Sequence, residues 1–214
     1  MRIISINVGR PRLTVWNGQA VSTGIYKEPI EGRVMLRTLN LDGDRQADLT
    51  VHGGVTKAVY AYPTEHYSFW REQLPEMELP WGMFGENFSV EGMSESALNI
   101  GDCFRVGTAE IVVSEPRMPC YKLGIKFGRS DILRKFLESG RTGFYFSVRC
   151  EGEVGSGDEI ELIERDTHNL SIADIVRLYA RDRSDTETLR RAASHPTLPK
   201  GWRDHFRKQL HQVE

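Results

Sequence analysis

Short stretches of alternating apolar and polar residues follow one another up to about residue 165, separated by glycine, proline, aspartate or asparagine. Segments of this length and period are typical of β-strands, and the separating residues are typical of turns. The strands are predicted at residues 1–7, 33–39, 57–62, 88–90, 103–106, 110–113, 143–148 and 159–163. Many short strands at this spacing favour an antiparallel sheet that is closed into a barrel or folded into a sandwich.

Two helices interrupt this predicted sheet. The first covers residues 64–74 and stops at Pro75, and the second covers residues 131–139 after an N-cap at Ser130. A serine N-cap and a proline stop are the usual boundaries of a short helix. The fold class is therefore mainly β, with a few inserted helices.

The pattern changes at about residue 166, where helical periodicity replaces alternation. Ser171 and Asp174 form a variant of the capping box, and Ser184 begins a second S-x-x-E helix start. Apolar residues then recur every four positions at Trp202, Phe206 and Leu210. We therefore expect a β domain at residues 1–165 and a three-helix subdomain at residues 166–214.

Composition limits the kind of protein this can be. The 214 residues include 39% apolar and 27% charged residues, which is typical of a soluble globular chain. No apolar run approaches the ~20 residues needed to span a bilayer, and the N-terminus alternates like a strand rather than a signal peptide. Three cysteines without an export signal favour a reduced, cytoplasmic protein that does not bind membranes.

Positive charge is concentrated in one segment. The whole chain has a net charge of −2, which argues against a dedicated nucleic-acid binder. Residues 117–149, however, contain eight basic and two acidic side chains. Such a segment is either a solvated basic face or a binding site for an anion such as phosphate.

The three cysteines occupy different sequence environments. Cys150 has the same strand parity as Phe144 and Phe146, so it is predicted to pack in the core. Cys103 lies opposite Phe104 in its strand and is predicted to be inert. Cys120 differs because it follows two prolines and lies among cations, which favour the thiolate form that acts as a nucleophile or soft-metal ligand.

Two further clusters could bind a ligand. His52, Gly53, Gly54 and Lys57 form a glycine turn whose backbone N–H groups can approach an anion, although a plain β-turn with a surface lysine explains the spacing equally well. Asn87 lies in a polar loop that enters a strand, where it can either contact a ligand or hold its own turn. The sequence has no nucleotide-binding glycine motif and no C-x-x-C pair, so electrons for any redox reaction are expected from another protein.

The three clusters, in this order, resemble a known family. His52-Gly53-Gly54 with Lys57, then Gly85-Glu86-Asn87, then Pro116-Arg117-x-Pro-Cys120-Tyr-Lys122-Leu look like a MOSC domain. The wider pattern, from Tyr62-Pro63 to the helical tail, is similar to the bacterial YiiM-like branch, which is linked to resistance to 6-N-hydroxylaminopurine. The resemblance covers most of the chain.

This resemblance implies a MOSC-type β-barrel that binds molybdenum cofactor, with no role for pyridoxal phosphate. Cys120 matches the family's cysteine position and is implied as the molybdenum ligand and catalytic residue. The cofactor-binding residues that we expect beside it are His52, Gly53, Gly54, Lys57, Asn87, Arg117 and Lys122. The implied activity is the detoxifying reduction of N-hydroxylated purines or similar small molecules, with electrons from a separate reductase, expected to be a flavoprotein. A non-enzymatic carrier of molybdopterin or sulfur is the alternative.

Overall fold

The computed structural model describes residues 1–48, 52–182 and 184–213. The strands within these residues are β1 (Arg2–Val8), β2 (Arg12–Trp16), β3 (Gln19–Thr23), β4 (Glu28–Pro29), β5 (Arg33–Leu36), β6 (Val59–Pro63), β7 (Phe88–Glu91), β8 (Cys103–Val106), β9 (Ala109–Pro116), β10 (Phe144–Cys150), β11 (Gly152–Gly155) and β12 (Ile160–Glu164). The helices are α1 (His66–Gln73), α2 (Tyr121–Phe127), α3 (Ile132–Ser139), α4 (Ile172–Ala180), α5 (Thr186–Ser194) and α6 (Lys200–Val213).

The central sheet has eight strands in the order β12-β8-β9-β10-β6-β7-β1-β4. All neighbours are antiparallel except β6 and β7, which run parallel. The two end strands, β12 and β4, do not pair within the described residues, so closure into the expected barrel is not confirmed. A few backbone hydrogen bonds bring the turn before β12 close to β1, including the bond from Ile3 N–H to Asp158 O at 2.9 Å. The result is an open, mixed sheet with helices.

Two small sheets lie outside the central one. Strands β5 and β11 pair with each other, and β2 and β3 form a hairpin that the sequence analysis missed. The hairpin turns at Asn17 and Gly18, with φ angles of 51° and 76°. Positive φ at both positions is the requirement of a tight hairpin turn, which Asn-Gly meets well.

One hydrophobic core joins the central sheet to the C-terminal helices. Ile3, Phe88 and Phe144 from the sheet belong to the same buried cluster as Ile175 of α4 and Phe206 of α6. A second, mainly aromatic cluster packs beneath α1, α2 and α3. The helical tail is thus fixed to the sheet by continuous apolar packing, which contributes stability in proportion to the apolar area removed from water.

The tail matches its sequence pattern closely. Ser171 and Asp174 form the predicted capping box, and Trp202, Phe206 and Leu210 pack on the core side of α6. The second tail helix is capped by Asp185, whose carboxylate accepts the Thr188 N–H at 3.0 Å, rather than by the predicted Ser184. None of the helices in the described ranges is both long and apolar enough to cross a membrane.

Several local predictions were wrong. Cys150 is exposed rather than buried, because a β-bulge between Val148 and Cys150 shifts the register of β10 against β9 and ends the alternation. Cys103 was predicted only to be inert, and its 1% exposure does not contradict this; a guanidinium nitrogen of Arg149 lies 3.5 Å from its sulfur. The helix α2 was not predicted, and α3 has Asp131 rather than Ser130 at its N-cap position.

Candidate functional site

A cleft opens where the loop before α2 meets His52, the first residue of the second described range. The residues that line it are Thr23, Gly24, Ile25, Lys27, Arg45, Gln46, Ala47, His52, Lys57, Tyr60, Gly85, Asn87, Arg117, Met118, Cys120, Lys122 and Tyr145. Six of the eight residues predicted from the sequence are therefore in one place. The two exceptions, Gly53 and Gly54, do not line the cleft.

Cys120 and His52 form a close pair in this cleft. The Cys120 sulfur lies 3.3 Å from Nε2 of His52 although the two residues are far apart in sequence. Burial raises the pKa of Cys120, but the His52 hydrogen bond, the Arg117 charge and the Lys122 backbone N–H together lower that pKa from 9.0 to about 7. Cys120 is therefore about half thiolate near neutral pH, the form that coordinates soft metals or attacks electrophiles.

The glycines beside His52 shape its turn rather than the cleft. Gly54 has a φ of 100°, which L-residues with side chains rarely adopt, and its carbonyl accepts the Lys57 N–H at 3.0 Å. This bond starts a short 3-10 turn over Val55–Lys57. Thr56 then anchors the turn by donating to Glu115 of β9 at 2.8 Å, so Lys57 is held at the rim of the cleft.

Arg117 is the most deeply buried cation that lines the cleft, with 5% of its surface exposed. Its guanidinium lies 5.3 Å from the Tyr60 ring and 5.1 Å from the Phe136 ring, within cation–π range. Burial alone would lower the pKa of Arg117, yet the neighbouring Tyr60, Tyr145 and Cys120 raise it, so the side chain stays charged. Its Nη1 is buried without a hydrogen-bond partner in the described ranges. An unsatisfied buried charge is costly, and an anion in the cleft would satisfy it.

The remaining cations of the cleft differ in how they are neutralised. Lys27 pairs with buried Asp44 at 2.6 Å, and Lys57 lies 3.9 Å from Glu115. Arg45 and Lys122 form no ion pair with any carboxylate in the part of the chain that the structure describes. No aspartate or glutamate is among the described lining residues. The cleft therefore carries an excess of positive charge that favours an anionic ligand.

Asn87 lines the cleft, but its side chain is used by the protein itself. Its Oδ1 accepts the Tyr60 N–H at 3.2 Å, and its Nδ2 donates to the Asn7 carbonyl at 3.2 Å and to Asp44 at 3.0 Å. These bonds connect β6, β1 and the loop after β5, whose Asp44 pairs with Lys27. Of the two interpretations of Asn87, the geometry favours a structural role.

Sequence reasoning missed eleven of the seventeen described lining residues, and four of these carry a cation or a phenol, namely Lys27, Arg45, Tyr60 and Tyr145. Lys27 and Arg45 come from the connections after β3 and β5, where no motif marks them. Tyr60 and Tyr145 lie opposite each other on paired strands. The alternating pattern of each strand was the available signal that the two side chains share one face of the sheet. Burial raises the pKa of Tyr145 to about 12, so its phenol is neutral and can donate a hydrogen bond to a ligand.

Comparison with known proteins places this site in a family. The model of the MOSC domain matches residues 48–161, and that of the YiiM-like, 3-alpha helix domain matches residues 170–212. The chain is 41% identical to the uncharacterized protein YflK of Bacillus subtilis (strain 168), over 97% of this chain and 93% of that protein. It is 37% identical to protein YiiM of Escherichia coli (strain K12), over 84% of this chain and 81% of that protein.

A more distant relative and a solved structure complete the comparison. A protein of Gibberella moniliformis (strain M3125 / FGSC 7600) named "Reductase" is 33% identical over 82% of this chain, which is only 32% of that protein. The crystal structure of YiiM from Geobacillus stearothermophilus superposes with a TM-score of 0.82 at 35% identity, over 98% of both chains. By sequence and by fold, the chain belongs to the MOSC family, in the branch that carries the YiiM-like three-helix domain.

Proposed function

We propose that the cleft binds molybdenum cofactor and that the protein reduces N-hydroxylated compounds such as 6-N-hydroxylaminopurine. MOSC domains are associated in general with binding of this cofactor, and one distant relative carries the name reductase. The observation that carries the proposal is the Cys120–His52 pair, 3.3 Å apart in a cleft of excess positive charge.

The residues of the cleft fit both ends of the proposed cofactor. Molybdenum cofactor combines a sulfur-bound metal with an anionic phosphate, so its site needs a thiolate close to cations. Cys120, with its pKa of about 7, offers the thiolate, and we assign it as the metal ligand. Arg117, through its unpartnered Nη1, and Lys122 are assigned to the phosphate, with Lys57 and Arg45 at the edge.

When bound, the cofactor supplies two-electron reduction: an N-hydroxylamino group takes up two electrons and two protons, the N–O bond breaks, and an amine and water are formed. The chain's own residues bind and orient. His52 favours the thiolate form of Cys120 through its Nε2 contact. The neutral Tyr145 phenol, which lines the cleft beside Arg117, is placed to donate a hydrogen bond to the substrate.

Electrons would come from a separate reductase, which we propose to be a flavoprotein. The sequence lacks the glycine-rich motifs that hold nicotinamide or flavin dinucleotides. We also propose that residues 1–165 form the MOSC unit that holds the site and that residues 166–214 form the three-helix unit.

The test compares Cys120→Ala with Cys150→Ala in full-length protein. Cys150 is exposed and outside the cleft, so its variant controls for thiol loss in general. We expect molybdenum and pterin to co-purify with the wild type and with Cys150→Ala, and both to reduce 6-N-hydroxylaminopurine with a chemical electron donor. Cys120→Ala should remain folded and lose reduction. A folded Cys120→Ala at full rate would refute the proposal, whereas bound cofactor without turnover in the wild type would make the protein a carrier.

A further inference from the structure

A second cluster of ligating side chains lies where the sheet meets the helical tail. Asp166 follows β12, His168 lies in the connection to α4, and His195 is the C-cap residue of α5. Each offers one ligand atom, and the three atoms lie within 4.8 Å of one another. We propose that Asp166, His168 and His195 bind one divalent transition-metal ion, with Zn²⁺ as the ion that these donors suit best.

The distances within the cluster match a shared ion. The Asp166 Oδ1 lies 3.0 Å from Nδ1 of His168 and 3.3 Å from Nε2 of His195. Zinc bonds of about 2.1 Å in a tetrahedral arrangement place ligand atoms ~3.4 Å apart. Small movements of the side chains therefore suffice to close the three atoms around zinc. Two imidazoles and one carboxylate are also a donor set that zinc commonly takes.

Access and charge also favour an ion here. His195 is fully buried, Asp166 is half-buried and His168 is exposed, so an ion can enter from the His168 side and keep a water as its fourth ligand. The Asp166 carboxylate lies 3.3 Å from Nε2 of His195 and supplies negative charge that attracts a cation.

The neighbours of Asp166 fix its position. Its backbone N–H donates to buried Asp102 at 2.9 Å, and Asp102 in turn pairs with Arg165 at 2.7 Å. Gly101 has a φ of 94° and no side chain, and a Cβ there would meet the Asp166 carboxylate at 2.6 Å. Supports of this kind orient metal ligands in known sites.

Metal binding would change one hydrogen bond of His195. At present the Thr197 N–H donates to Nδ1 of His195 at 3.3 Å, so the ring proton is on Nε2 and faces Asp166. An ion at Nε2 leaves the proton on Nδ1, and this long bond to Thr197 is then lost. The bound ion would join the end of the sheet to the α5–α6 junction, which gives it a structural role.

The test measures metal binding in full-length protein with Cys120→Ser, which removes the competing thiolate of the cleft. In this background we expect one Zn²⁺ per chain by competition with a chromophoric chelator, and absorption bands of tetrahedral Co²⁺ when cobalt replaces zinc. Adding His168→Gln, at an exposed position, should weaken Zn²⁺ binding by at least about tenfold. Adding His211→Gln instead, at another exposed histidine, should leave the affinity unchanged.

Two further readouts separate a metal site from a hydrogen-bonded cluster. Saturating Zn²⁺ should raise the Tm of the Cys120→Ser protein and not that of the protein with His168→Gln added. The amide signal of Thr197 should shift with zinc in the first protein alone. Equal binding by both proteins, or no binding at micromolar Zn²⁺, would overturn the proposal.

Discussion

Removal of His52 should raise the pKa of Cys120 and slow its reaction with disulfides at neutral pH. In the native cleft the pKa of Cys120 falls from 9.0 to about 7 despite burial, and the His52 hydrogen bond is the largest lowering cause. A shift of two units corresponds to about 2.7 kcal/mol of preference for the thiolate. In His52→Ala, burial acts without this opposing bond, so the pKa rises.

The size of the rate effect follows from two opposing factors. At pH 7 about half of a thiol with a pKa of 7 is thiolate, against roughly 1% of a thiol with a pKa of 9, a ratio of about 50. The nucleophilicity of a thiolate falls with its pKa, with a Brønsted coefficient of about 0.5, so a pKa lower by two units reduces the rate of the thiolate about tenfold. Cys120 should therefore react about five times faster at pH 7 than an ordinary thiol of equal access.

The assay follows the reaction with 4,4′-dithiodipyridine from pH 5 to pH 10 in cofactor-free protein. The exposed Cys150 is changed to serine in all samples, so that Cys120 is the accessible thiol that is measured. The rate midpoint should lie near pH 7 and move upward by a unit or more, about 1.4 kcal/mol per unit, when His52→Ala is added. A midpoint that stays within a few tenths of a pH unit would refute the assigned role of His52.

Three other substitutions test the surroundings of the site. Asn87→Ala should lower the free energy of unfolding by at least about 2 kcal/mol in urea titrations, because buried partners lose their hydrogen bonds; a loss below 0.5 kcal/mol would contradict its structural role. Trp202→Phe removes the 2.9 Å bond to Glu115 and should cost about 1 kcal/mol in the same assay, with an unchanged value counting against this link. Arg117→Gln should weaken inorganic phosphate binding by about tenfold or more in calorimetry, whereas Arg134→Gln, an exposed control with 69% of its side chain accessible, should not; equal losses would show that general charge, not Arg117, binds phosphate.

The helical tail and the cationic surroundings of Cys120 could be predicted from sequence because local chemistry determines both. Ser171 with Asp174 caps a helix wherever an amphipathic stretch follows, and this prediction was confirmed. Cys120 was singled out by its prolines and nearby cations, and Arg117 does lower its pKa. Both features depend on residues within a few positions of each other.

The parts that failed depend on contacts between distant segments. A β-bulge turns Cys150 outward, and alternation alone cannot reveal an extra residue in one strand. His52, the partner of Cys120, lies in a turn 68 residues earlier in the sequence. The two residues meet only because of the order of the strands in the sheet, which the sequence did not reveal. Arg45 and Lys27 enter the cleft from irregular connections, so periodicity carried no information about them.

The central claim is that Cys120 is the ligand of a bound molybdenum cofactor, and metal analysis of freshly purified protein tests it most directly. Molybdenum and pterin should each be present at close to one equivalent per chain in the wild type and in Cys150→Ala. Cys120→Ala should remain folded, by circular dichroism, and lose its molybdenum. Equal molybdenum in Cys120→Ala, or none in wild type produced in cells that make the cofactor, would contradict the account.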